Sequence, residues 1–226
     1  MCSSDLPAEV VTPSVLALIP LKADMHPDLK RRALELAGRM PAANPSLQII
    51  TVFDWRRLPK EPKDSTPWSK VTRVRNTLLD CFKLSAFTHV LWIDADLVEY
   101  PADMPTRLLQ TNAHGISSLP VFIEDKENEF YDTAGFVGLD EKHWEVFSPH
   151  HEDMAGREVV EVSCVGCVYS APSWLYQSGV RHTDHPTNTD HWSICQAARK
   201  AGRSVTVDLR MRALHANLPK YGESWH

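Results

Sequence analysis

The sequence predicts one α/β domain with a mostly parallel central sheet and helices on both faces. Apolar runs of strand length alternate with segments that show helical periodicity, and this alternation is typical of parallel strands joined by helices. The length of 226 residues suits one domain with a substantial core. Because neither side of the Pro-, Lys- and Arg-rich segment at residues 54–67 is large enough for a core of its own, we expect residues 1–226 to form a single domain.

The composition is that of a globular protein, with 43% hydrophobic and 23% charged residues. The net charge of −5 disfavours general coating of nucleic acid, although it is compatible with a local basic groove. No stretch approaches the roughly 18 apolar residues of a membrane helix, and the N-terminus lacks a secretory signal pattern. Five cysteines, an odd number, do not suggest a disulfide framework. We therefore expect a cytoplasmic protein without a membrane span.

The first part of the chain is predicted to form a strand, a helix and a second strand. Residues 15–19 are an apolar run that Pro20 closes, and residues 47–53 are another such run. Between them, Asp28 is a candidate N-cap for a helix over residues 28–40. The loop that follows the first strand is a natural place for a ligand in such a fold.

A helix is predicted over residues 69–84, where apolar residues recur at helical spacing. Arg73, Arg75 and Asn76 lie in its N-terminal half. They are either part of a solvated helix face or groups that reach the phosphates or base of a nucleotide.

Two carboxylates follow the most apolar strand of the chain. Residues 90–93 read VLWI, and Asp94 and Asp96 come directly after them. Paired carboxylates at the end of a buried strand are costly without a nearby positive charge, and residues i and i+2 of a strand point the same way. Mg²⁺ and Mn²⁺ prefer such oxygen ligands. The pattern predicts a metal site that carries a diphosphate, with a solvated turn as the alternative.

The second part of the chain is predicted to contain three further helices and three strands. The helices are expected at residues 105–110, 172–179 and 192–201, and the strands at 114–121, 159–170 and 204–209. Gly166 lies within the strand predicted at residues 159–170, and a glycine inside a strand often marks a close approach of a ligand or backbone. Cys164 and Cys167 lack the second pair of a structural zinc site, so we interpret them as small core residues. Residues 132–138 suit a loop near a substrate.

Asp190 and His215 are the remaining candidate site residues. Asp190 precedes the predicted helix at residues 192–201, where it is either a cap or a general base for an acceptor hydroxyl. His215 follows the last predicted strand. A lone histidine is more often structural than a ligand, but this position makes it a candidate metal ligand.

Four segments together resemble the nucleotide-sugar-dependent glycosyltransferases of the A-type fold. They are RVRN, LWIDADLVEYP, CVGCVYS and TDHWSICQAARKAG, in that order. The aspartate segment in particular resembles the fungal mannan-polymerase mannosyltransferases and the family-2 glycosyltransferases. The resemblance implies a Rossmann-like glycosyltransferase-A fold, with a nucleotide-binding half at about residues 10–100 and an acceptor-binding half at about 101–226. It also implies Mn²⁺ or Mg²⁺ and a nucleoside-diphosphate sugar.

The resemblance assigns roles to the metal site and to the catalytic site. Asp96 would ligate the metal directly, and Asp94 would help through the metal, a water or the ribose. His215 would complete the metal site. Asp190 matches the acidic residue that deprotonates the acceptor in inverting members, although this chain has Thr-Asp where many members have Glu-Asp.

The resemblance also implies a nucleotide site. Arg73 or Arg75 would contact the donor nucleotide, and Asn76, Asp94 and Pro20 belong to the same predicted site.

Two other functions remain open at this stage. A nucleotidyltransferase also uses paired aspartates and a metal, but the first strand is not followed by a glycine-rich phosphate loop. A non-catalytic nucleotide- or carbohydrate-binding module is the other alternative. Candidate acceptors are a lipid-linked or soluble glycan, a protein, a metabolite or hydroxymethylated phage DNA, and the expected setting is the cytoplasm of a bacterial or phage-infected host cell. For DNA, five basic residues are candidate contacts: Arg56, Arg57, Lys60, Lys63 and Lys70.

Overall fold

A computed structural model describes residues 13–21, 25–54, 67–126, 129–144, 154–184 and 189–222. Within these ranges the strands are β1 Val15–Leu21, β2 Leu47–Asp54, β3 His89–Ile93, β4 Leu97–Glu99, β5 Ile116–Ser118, β6 Val121–Ile123, β7 Val159–Glu161, β8 Val168–Pro172, β9 Val205–Asp208 and β10 Ala213–His215. The helices are α1 Pro27–Ala43, α2 Pro67–Asp80, α3 Met104–Thr111, α4 Ser173–Gln177 and α5 Trp192–Lys200.

The strands form two sheets. Seven strands lie in the order β2-β1-β3-β8-β5-β9-β7, and a smaller sheet has the order β4-β10-β6. In the large sheet, β1 is parallel to β2 and β3, and β5 is parallel to β9. The other three pairs are antiparallel, because β8 runs against both β3 and β5 and β7 runs against β9. The α/β fold class is confirmed, and the sheet is evenly mixed rather than mostly parallel.

Helices cover both faces of the large sheet, as expected. Along β1, Leu16 and Leu18 face a core cluster that includes residues of α2, α4 and α5. Their neighbours along the strand face a second cluster, which includes residues of α1 and α3. The alternation follows from the two-residue period of a strand, and it explains why the apolar runs are continuous rather than alternating.

Two predicted strands are divided in the structure. The segment 114–121 separates into β5 and β6, which belong to different sheets, because the chain changes sheet at Leu119 and Pro120. The segment 159–170 separates into β7 and β8. Cys167, at φ 48°, has the left-handed backbone of a tight turn rather than a strand.

The N-terminus of α1 also differs from the prediction. His26, not Asp28, is the N-cap, and its Nδ1 accepts a hydrogen bond from the Asp28 N–H at 3.2 Å. Pro27 occupies the first turn, where a missing N–H costs nothing. Among the described helices, none combines the length and the apolar character that crossing a bilayer requires.

The small sheet places the segment that ends in His215 beside the segment that follows Asp96. β4 begins one residue after Asp96, and β10 pairs with it so that His215 lies opposite Leu97. The Ala216 N–H donates to the Asp96 carbonyl oxygen at 2.8 Å. The end of β10 is therefore fixed beside the turn that follows β3.

Asn44 links the end of α1 to the start of α3. Its buried amide donates to the carbonyl oxygens of Met40 and Ala102, both at 2.6 Å, and accepts from the Thr106 N–H at 2.9 Å. We expect Asn44→Ala to lower the free energy of unfolding by about 2 to 4 kcal/mol, because it leaves three backbone groups without partners. Chemical denaturation measures this loss. The exposed Gln48→Ala is the control and should stay within about 0.5 kcal/mol of the unsubstituted protein; an equal loss in both variants would contradict the assignment.

Candidate functional site

The turn after β3 gives its two aspartates different partners. The Asp94 N–H donates to the Cys167 carbonyl oxygen at 2.9 Å, which fixes the turn against the start of β8. The Asp94 carboxylate accepts from Arg75 Nη2 at 2.6 Å. The Asp96 Oδ2 instead lies 3.2 Å from His215 Nε2. Of the three predicted metal ligands, Asp96 and His215 are thus in direct contact, and Asp94 is turned towards Arg75.

His215 is held in the orientation of a metal-ligating imidazole. Its Nδ1 lies 2.9 Å from the Ala216 carbonyl oxygen, which can only accept a hydrogen bond, so Nδ1 carries a proton. Tyr131 stacks on the ring at 3.6 Å between centroids. Nε2 therefore faces Asp96, as in histidines whose other nitrogen is fixed by a carbonyl. Burial opposes the charged ring, but Asp96 outweighs it and raises the pKa of His215 above its ordinary value.

Asp132 is a site residue that the sequence interpretation missed. It is buried; its Oδ1 accepts from the Gly135 N–H at 2.9 Å, and its Oδ2 has no hydrogen-bond partner among the described residues. Burial raises the pKa of Asp132 above its ordinary value. A Cβ atom on either Gly135 or Gly166 would overlap its carboxylate. The close approach predicted at Gly166 is therefore that of a carboxylate, and the sequence carried no signal for Asp132 because Gly166 meets it only in the folded chain.

Arg75 is a buried cation shared by two carboxylates. Its Nε lies 3.4 Å from Asp190 Oδ2, in addition to the contact with Asp94, and its Nη1 lies 2.6 Å from His191 Nδ1. The guanidinium carbon lies 5.5 Å from the centre of the Trp92 ring. Burial opposes the charge, but Asp190 and Asp94 outweigh it and keep the pKa of Arg75 above its ordinary value.

Asp190 lies beneath Arg75 rather than at an open surface. Its side chain is 1% exposed, and Oδ2 lies 3.2 Å from His182 Nδ1. Burial opposes its ionisation, but Arg75, His191 and His182 lower the pKa of Asp190 far below its ordinary value. A carboxylate with so low a pKa is a weak base. The general-base role stays a prediction, and the geometry favours a role in positioning Arg75.

The other predicted nucleotide contacts lie around this ion pair. Asn76 uses both ends of its amide to hold the His182 backbone, at 2.9 and 3.0 Å, so it stabilises the chain before Asp190. Arg73 is half-buried on α2. Pro20 lies near the end of β1, opposite Phe53 of β2.

Two groups of side chains have metal-binding composition. His182, Asp190 and His191 bring ligand atoms within 4.8 Å of one another. The Arg75 guanidinium contacts two of these three residues, so the group already has its cation. The second group is Asp94, Asp96, Asp132 and His215, which we call the carboxylate cluster.

The charges of the carboxylate cluster favour a divalent cation, although among the described residues only His182, Asp190 and His191 bring three ligand atoms within 4.8 Å of one another. The Asp94 side chain keeps 28% exposure, yet burial is the largest cause that raises its pKa to about 7. Arg75 opposes that shift, whereas Asp96, Asp190 and Asp132 add to it. Crowded carboxylates with one unpartnered oxygen have a deficit of positive charge, and oxygen ligands with one imidazole nitrogen suit Mn²⁺ or Mg²⁺.

No protein-family model matches this chain, and no curated protein sequence matches it. Among solved structures, the chain is similar to GalNAc-T7 in its crystal structure with UDP, GalNAc and Mn²⁺, at a TM-score of 0.55 and 11% identity. The match covers 90% of this chain and 43% of that one, and it confirms the expected fold class. Apo UDP-glucose pyrophosphorylase and its complex with UDP-glucose give TM-scores of 0.48 and 0.49 at 12% and 10% identity, each covering 88% of this chain and 91% of theirs. The resemblance to the mannan-polymerase family stays a prediction.

Gly166 is required by the Asp132 carboxylate. We expect Gly166→Ala to lower the free energy of unfolding by about 1 to 3 kcal/mol, because its methyl group overfills a packed site. Replacing Asp132 by Ala in the same chain should recover part of that loss, as coupled neighbours do. Gly38→Ala, with no atom within 4 Å of the added Cβ, is the control. Strictly additive losses from Gly166→Ala and Asp132→Ala in denaturation curves would contradict the contact.

The buried Arg75–Asp190 pair should be structurally essential. We expect Asp190→Asn to lower the free energy of unfolding by about 3 kcal/mol, because it leaves a buried guanidinium short of one carboxylate. Asp80→Asn is the matched control, since Asp80 pairs with Arg181 at 3.1 Å with 65% of its side chain exposed; its cost should stay below about 1 kcal/mol. Thermal and urea unfolding measure both, and equal stability of Asp190→Asn and the unsubstituted protein would exclude the positioning role.

Proposed function

We propose that the protein is a metal-dependent glycosyltransferase that moves a sugar from a nucleoside-diphosphate sugar to a hydroxyl acceptor. The observation that supports it most is the carboxylate cluster at the carboxyl end of β3, with Asp96 Oδ2 3.2 Å from His215 Nε2. Ligands of open α/β sheets bind beyond the carboxyl ends of their strands. The fold shared with GalNAc-T7 is compatible with this reaction.

The reaction exchanges one bond at the anomeric carbon for another. The bond from that carbon to the β-phosphate oxygen breaks, and the nucleoside diphosphate leaves with the electron pair. The acceptor oxygen forms the new bond and loses its proton. Asp96 and His215 would hold a divalent cation, which would supply positive charge for the departing diphosphate.

Each cluster residue has a distinct proposed task. Asp96 and His215 would hold the cation, because their ligand atoms already face each other and the carbonyl of Ala216 fixes the His215 tautomer. Asp94 and Asp132 supply further carboxylate oxygens. Arg75 orients Asp94 and adds a fixed positive charge beside the phosphates.

The proposal also assigns residues to the donor and to the acceptor. Arg73, Pro20 and Asn76 are proposed to border the nucleotide. Asp190 is the proposed base of an inverting reaction, although its burial favours the positioning role. Of the basic residues considered for a DNA acceptor, Lys70 is described and the other four lie outside the described residues. The acceptor class and the cytoplasmic setting stay predictions.

Removing the cation ligands should abolish transfer without unfolding the protein. We expect Asp96→Asn and His215→Gln each to reduce hydrolysis or transfer of a nucleotide sugar at least about a hundredfold, because the charge on the leaving diphosphate loses its stabilisation. Isothermal titration with Mn²⁺ should show weaker binding in both variants. Asp103→Asn, at an exposed aspartate without a capping hydrogen bond, is the control and should retain full activity.

A screen of nucleotide sugars with Mn²⁺ by thermal shift identifies the donor, because a bound ligand stabilises the fold. Product analysis then separates the candidate functions. A nucleoside diphosphate as product supports the transferase, and a nucleoside triphosphate formed with added pyrophosphate identifies a nucleotidyltransferase. Binding without turnover identifies a non-catalytic module, and turnover that persists in Asp96→Asn with a chelator excludes the proposed metal site.

A further inference from the structure

A cleft lined by arginines lies away from the carboxylate cluster. It has a volume of about 530 Å³, and its lining includes Arg39 of α1, Tyr100 after β4, and Arg210 and Arg212 before β10. This volume falls within the range of small-molecule sites. β10 begins beside this cleft and ends at the carboxylate cluster. The backbone from Arg212 to His215 is three residues long and spans about 10 Å. The two sites are therefore separate.

One arginine of the cleft is fixed in place. Arg210 forms a two-point ion pair with Asp208, in which Nε–Oδ1 and Nη2–Oδ2 are both 2.8 Å. The Asp208 side chain has no solvent exposure, and its Oδ2 also accepts from the Thr111 hydroxyl at 2.7 Å. The Arg210 side chain is thus held at the side of the cleft, and Asp208 largely balances its charge.

The other two arginines are not balanced in this way. Arg39 and Arg212 are exposed, and neither guanidinium has an ion pair or hydrogen bond with any described residue. Tyr100 is 4% exposed, and the described part of the chain offers its hydroxyl no hydrogen-bond partner. Burial is the main influence on Tyr100 and raises its pKa well above the ordinary value, so the hydroxyl stays a donor. Three side chains that can donate hydrogen bonds, without acceptors among the described residues, therefore line one cleft.

We propose that this cleft binds a phosphate ester. Guanidinium groups match the oxygens of a phosphate and give it charge-assisted hydrogen bonds. Glu99 also lines the cleft and would accept hydrogen bonds from hydroxyls but repel the phosphate, so the phosphate lies towards Arg39 and Arg212. Phosphomonoesters such as sugar phosphates and the phosphodiesters of a nucleic-acid chain share this chemistry. The proposal does not depend on the proposed transfer reaction.

The test is isothermal titration of the whole chain in the presence of a chelator, which removes any binding through a metal. The probes are glucose 6-phosphate, glucose, inorganic phosphate and a short single-stranded DNA without terminal phosphates. We expect binding of the phosphate-bearing probes but not of glucose. The double variant Arg39→Gln/Arg212→Gln should weaken that binding at least about tenfold. Binding of glucose 6-phosphate alone identifies a monoester site, and binding of the DNA alone identifies a diester site.

Two controls make the result specific. Lys200→Gln/Arg203→Gln removes the same charge from exposed residues at the opposite end of β9 and should leave the affinity unchanged. Glu99→Gln should strengthen the binding of inorganic phosphate, because it removes a repulsive charge. No binding of any phosphate-bearing probe, or equal losses in the two double variants, overturns the proposal. These results leave the hydrolysis assay of the carboxylate cluster unaffected, so the two proposals fail separately.

Discussion

The ion pairs of Arg75 are the constraint on which the rest of the site depends. Burying a carboxylate without a cation is unfavourable by several kcal/mol, and here Asp94 and Asp190 share a single guanidinium. That guanidinium is itself held between Trp92 and His191. Arg75 binds the Asp94 carboxylate, whereas Asp96 is the carboxylate in contact with the His215 imidazole. One buried arginine therefore decides how the two aspartates of the turn divide their partners.

The antiparallel strand β8 is what makes this arrangement possible. It returns between β3 and β5 and places Cys167 and Gly166 beside the turn that carries Asp94. Only a glycine at position 166 leaves room for the Asp132 carboxylate. The small sheet then brings His215 to the same place from the other side. Three distant segments of the chain thus supply one cluster, and backbone hydrogen bonds fix each of them.

The sequence predicted those features that have a local cause. Asp94 and Asp96 could be located because they follow an apolar run. Arg75 was predicted to lie on a solvated helix face or to contact a nucleotide, whereas it is buried against Asp94 and Asp190. The direction of a strand could not be predicted, because a buried strand has the same apolar pattern whether it runs parallel or antiparallel to its neighbours. Asp132 was missed for a related reason: its burial depends on glycines that only the tertiary fold brings together. Asp190 was predicted at a helix start, but a cap and a buried ion-pair partner have the same local sequence.

The same guanidinium also connects two distant segments of the chain. Asp94 belongs to the turn after β3, whereas Asp190 and His191 lie at the start of α5, and Arg75 reaches both from α2. A diphosphate bound beside Asp94 would compete with that carboxylate for Arg75, since both are anions at the same donor. If a diphosphate took Arg75 from Asp94, the charge around Asp190 would change as well, because Asp190 shares the same buried guanidinium. The start of α5 is therefore coupled to what occupies the end of β3.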